Sequence, residues 1–120
     1  MSTTVIAHFT LMSLMIVAIV GGIALAHWKK KGWFPRHRLA VLVGLGLGAA
    51  GVASIAVGKL QHGYAHFATT HSRVAMGALI LLITAPVLGW LLMKGKRTLR
   101  LPHRATGATA AVVASVTAAL

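Results

Sequence analysis

Residues 5–31 read VIAHFTLMSLMIVAIVGGIALAHWKKK, an apolar run closed by a tryptophan and three lysines and interrupted near its start by His8. About 20 apolar residues is the length of a helix that crosses the hydrocarbon of a bilayer. No basic segment precedes the run and His8 breaks its beginning, so it reads as a permanent span and not as a cleaved leader. An ionisable side chain inside such a segment is costly, and its default explanation is functional.

Working outward, the same pattern recurs three times. Spans are predicted at about 5–27, 36–58, 71–93 and 102–119, each with one histidine at or just inside its start: His8, His37, His71 and His103. Pro35 and Pro102 stand where helices begin, where the amide proton that proline lacks would have no partner. The most polar connection, 61–70, holds His62, Tyr64 and His66, and a basic turn covers 94–101. Four spans and three turns use nearly all 120 residues. The expected fold is all-α, a single domain over 1–120 forming a transmembrane up-down four-helix bundle.

Composition narrows the function. The chain is 58% hydrophobic, with no Asp, Glu or Cys and a formal charge of +12. Such a charge ordinarily suggests nucleic acid, but these cations sit between apolar runs, so no nucleic-acid partner is expected. Without cysteine there is no disulfide, thiolate chemistry or Cys-ligated iron–sulfur cluster. In the predicted topology Lys29, Lys30, Lys31, Arg36, Arg38, Lys94, Lys96, Arg97, Arg100 and Arg104 share one side, against Lys59 and Arg73 on the other. The basic side faces the cytoplasm by the positive-inside rule. The expectation is a multi-pass protein of a bacterial inner membrane with both termini outside. Trp28, Trp33 and Trp90 fall near the same basic interface, and the cations there also suit anionic membrane lipids.

Antiparallel spans reverse at every turn, so His8 and His71 approach one face and His37 and His103 the other. In an up-down bundle spans one and three face each other, as do spans two and four. Two imidazoles at each level could take the opposite faces of a haem iron, with the second ring nitrogen of each held by a backbone carbonyl or a hydroxyl. The plainer reading of any single histidine is a hydrogen bond between helices. His27 is an alternative to His37 or a headgroup-level residue. His62 and His66, four apart, would meet on a helical turn near His71 as a Zn²⁺ or Cu²⁺ site or a redox-partner contact, or else belong to an exposed polar loop. Gly44, Gly48 and Gly51 share a helical face, with Gly21, Gly22, Gly77, Gly89 and Gly107 in the other spans. Such faces either make room for a macrocycle or pack helices closely. Met12, Met15, Met76 and Met93 read as apolar filling.

The segments His71-Ser72-Arg73-Val74-Ala75-Met76-Gly77, Leu101-Pro102-His103-Arg104-Ala105-Thr106-Gly107 and Phe34-Pro35-Arg36-His37-Arg38 resemble the ligand-bearing helix starts of the cytochrome b561 superfamily and related di-haem four-helix membrane cytochrome b domains. His8, in Ala7-His8-Phe9, is similar to the first ligand. The resemblance spans the whole bundle but rests on few residues, and the chain departs from larger members in lacking flanking helices or an electron-donor domain. It implies two haem b groups, ligated by His8 with His71 and by His37 with His103, and electron transfer across the bilayer. Arg38, Arg73 and Arg104, each one or two residues after a ligand, are candidate partners for haem propionates. The function implied is an electron relay or membrane oxidoreductase, with quinol or quinone and an external or cytoplasmic redox protein as possible partners. Its rivals are a cofactor-free structural or anchor subunit and a small metal-ion transporter using His62, His66, His71 and His8.

Overall fold

The computed structural model describes residues 1–120 and contains only helices and turns: α1 (Thr3–Trp28), α2 (Trp33–His62), α3 (Thr70–Met93), a single 3₁₀ turn (Arg97–Leu99) and α4 (Arg100–Ala119). They form two compact units, Met1–Ala68 and Thr69–Leu120, each an antiparallel helical hairpin.

A chain without carboxylates must cap its helices by other means. The Ser2 hydroxyl accepts from the Val5 amide to start α1. Thr69 and Ser72 form a reciprocal capping box at α3, with Ser72 standing where Glu is more usual. Both ends of α2 lie against glycines in the left-handed region, Gly32 (φ 74°) and Gly63 (φ 66°), where a side chain would be strained. Pro35 and Pro102 occupy first turns, as the sequence suggests. Pro86 lies inside α3, which continues past it to Met93 although the Leu82 carbonyl loses its amide donor there.

In the first hairpin the glycine face of α2 takes the side chains of α1. A Cβ on Gly44 would fall 2.8 Å from Cδ1 of Ile19, on Gly48 2.8 Å from Sδ of Met15, and on Gly51 2.8 Å from Sδ of Met12. At the far end Gly58 faces Thr4 in the same way. The second hairpin uses alanine instead, burying Ala78, Leu82 and Ala85 of α3 and Ala110, Ala114 and Thr117 of α4. Large aliphatic side chains elsewhere point outward, among them Val17, Leu42, Ile80 and Val112, all more than half exposed.

An outward apolar surface suits a membrane protein. α1, α2 and α3 are long and apolar enough to cross a membrane. α4, rich in Ala, Thr and Ser, is not among them. Hydroxyls within the helices return their protons to their own backbone, Ser54 to Gly51, Thr84 to Ile80, Ser115 to Ala111 and Thr117 to Val113, at 2.7–2.8 Å. A polar group satisfied in this way tolerates an apolar surrounding.

Candidate cofactor-binding histidines

The four histidines near the helix starts are half-buried and share one arrangement. Nδ1 of His8 donates to the Gly51 carbonyl at 2.9 Å, and Nδ1 of His37 donates to the Gly22 carbonyl at 2.7 Å. In the second hairpin Nδ1 of His71 donates to the Thr117 carbonyl at 3.0 Å and Nδ1 of His103 to that of Ala85 at 2.8 Å. A carbonyl oxygen only accepts, so the proton sits on Nδ1 and the neutral ring carries its lone pair on Nε2.

Every acceptor lies fourteen residues after the histidine of its own helix: Gly22 after His8, Gly51 after His37, Ala85 after His71 and Thr117 after His103. Each hairpin therefore closes on itself by two reciprocal bonds, one at either end. Fourteen residues of α-helix rise about 21 Å, which separates the two imidazoles of a hairpin along its length. All four acceptors are small residues, which lets an imidazole from the facing helix come up to the backbone. The sequence held this signal, a small residue at His+14 in four helices, but it has meaning only once the hairpin register is known.

Close neighbours fix the rings further. His103 lies over Gly89, whose missing Cβ would be 2.8 Å from Cε1 and 3.2 Å from Nδ1 of the imidazole. Trp33, one turn before His37, packs at a tilted 6.1 Å between ring centroids. His27 is exposed in the last turn of α1, edge-on to Trp28 at 6.4 Å.

The glycines, whose role the sequence left open between two readings, fall into two groups. Gly22, Gly44, Gly48, Gly51 and Gly58 are filled by the partner helix of their hairpin, which is the close-packing role. Gly21, Gly46, Gly77 and Gly107, one in each helix, meet nothing within 4 Å. Arg38 lies 5.9 Å over the Phe34 ring, and Arg38, Arg73 and Arg104 are all exposed.

Of the two readings of His62 and His66, the exposed polar loop is the one found: α2 stops at His62, the chain reverses through left-handed Gly63, and both residues are exposed. His62 donates Nδ1 to the Gly58 carbonyl at 2.8 Å and stacks on Tyr64 at 5.7 Å, while His66 lies against Phe67. No three histidines gather into a group that could hold a metal ion by themselves. Two imidazoles suffice for a haem, because the porphyrin supplies the other four donors. In comparisons with family models, characterised proteins and solved structures, the chain matches none.

Proposed function

We propose that this chain is a transmembrane di-haem b-type cytochrome that relays electrons across the membrane, as the likeness to the cytochrome b561 superfamily implies. His8 with His71, and His37 with His103, would hold the two haems. The pairing across the hairpins rests on the up-down, four-span topology read from the sequence.

One observation carries the reading: four imidazoles, each with Nδ1–H tied to a backbone carbonyl and the lone pair placed on Nε2. With Nδ1 held from behind in this way, Nε2 is the nitrogen these residues would offer to a haem iron. The residues thus fit the group, and the iron, when bound, supplies one-electron oxidation and reduction. The chain's part would be to orient the rings through their carbonyl partners. Gly21, Gly46, Gly77 and Gly107 leave bare backbone outside the hairpin contacts, in keeping with close approach by a flat group. Arg38, Arg73 and Arg104 would meet propionates, the negative charge that the side chains do not provide. A quinol is the donor or acceptor class that the bilayer itself supplies. With no Asp or Glu present, its proton would pass to a histidine, a propionate or water.

The second reading, a cofactor-free structural or anchor subunit, is favoured by the same hydrogen bonds taken as ties alone. Pyridine-haemochrome quantification after haem-supplemented expression separates the two. Two haem b per chain is the expected result, one would retain half of the proposal, with His37 and His103 kept first, and a reproducible value near zero would overturn it.

A further inference from the structure

The turn between α1 and α2 contains a hollow of about 210 Å³ lined by Leu25, Trp28, Lys30, Lys31, Trp33 and Arg36. We propose that it is a headgroup site for one anionic phospholipid, taking the phosphodiester among Lys30, Lys31 and Arg36 with the two indoles against the glycerol and upper acyl chain. Three cations share this hollow, and no hydrogen bond or ion pair of the protein engages their side chains. None can be neutralised by a carboxylate side chain, because the chain has no Asp or Glu.

The other basic turn is built differently. There Lys94 is spent on a ring of its own hairpin, lying 5.4 Å over Trp90. The α1–α2 turn instead sets its indoles around the cations. Trp28 is 68% exposed and Trp33 half-buried, so the hollow has an apolar wall among the same residues that bring its charges. An indole exposed at the end of two membrane-crossing helices suits the headgroup level. That wall selects a lipid over free phosphate, which shares the oxyanion but brings no apolar surface to cover the rings.

The test uses the purified protein in neutral detergent, titrated with phosphatidylglycerol and read by native mass spectrometry. Each cation near an anionic lipid contributes about a factor of five in affinity. The triple variant Lys30→Gln, Lys31→Gln, Arg36→Gln should weaken binding of the first lipid roughly 100-fold, and Lys31→Gln alone about fivefold. The equally charged control Lys94→Gln, Lys96→Gln, Arg97→Gln should leave it within about twofold, well under one cation's share. Equal weakening by both triple variants would reduce the hollow to diffuse charge and overturn the site. Phosphatidylcholine bound as tightly as phosphatidylglycerol would also overturn it. Displacement of the lipid by millimolar inorganic phosphate would reassign the site to the free anion.

Discussion

A histidine that ties helices and a histidine that ligates iron use different nitrogens, so one substitution can part the two roles. In His71→Asn the side-chain amide can still donate to the Thr117 carbonyl, but nothing replaces Nε2. We expect helix content and hairpin stability to stay within about 1 kcal/mol, the net worth of one hydrogen bond. Haem content should fall from two per chain towards one, with one low-spin paramagnetic signal lost first. Two haems retained would remove His71 from the ligand set and direct attention to His66 and His62. His103 offers a test that leaves the ring itself intact. Gly89→Ala places a methyl 2.8 Å from Cε1 of the imidazole and should push it off the Ala85 carbonyl. The expected outcome is preferential loss of the haem assigned to His37 and His103, followed by the same resonance signals. The four histidines were legible in the sequence because charge in an apolar span is conspicuous. The pairing of these histidines with Gly22, Gly51, Ala85, Thr117 and Gly89 was not, since each of those residues acts through a backbone carbonyl or an absent methyl that no side-chain chemistry advertises.

At the scale of the helices, the first hairpin depends on bare backbone facing branched and sulfur-bearing side chains. Gly44→Ala should cost about 1–3 kcal/mol, the usual range for overpacking, because the short, branched Ile19 has little freedom to move aside. Gly48→Ala should cost less, as the terminal Sδ of Met15 can swing away. Gly46→Ala, with nothing within 4 Å inside the hairpin, should leave hairpin stability unchanged or slightly raised. Unfolding of each variant in mixed detergent micelles ranks the three, and a Gly46 variant as unstable as the Gly44 variant would show that the register is wrong. Apolar length, prolines and basic turns foretold the four α-helices, yet α2 runs from Trp33 to His62 where hydropathy gave 36–58. Its ends are set by Gly32 and Gly63, whose backbone conformations outweigh the fading apolar signal. The fourth helix formed where Pro102 pointed, although its alanine and hydroxyl content leaves it less apolar than the first three.

For the molecule as a whole, the proposed orientation follows from the cations. Reporter fusions at either terminus should be active only outside the cytoplasm, because the basic turns hold the cytoplasmic side. Cytoplasmic signals from both ends would reverse the orientation and leave the histidine register untouched. That independence is itself a property of the register. Each hairpin has its histidine-to-carbonyl bond repeated at both ends, fourteen residues apart on both strands of the pair. Exchanging its two helices returns the same bonds at the same depths. As far as these hydrogen bonds are concerned up and down are therefore equivalent, and the orientation read from the sequence rests on the basic turns. Under the proposed di-haem reading, these four bonds would favour neither direction of electron flow. Which way current flows would be dictated by whatever docks at the lysine-rich end and at the loop bearing His62.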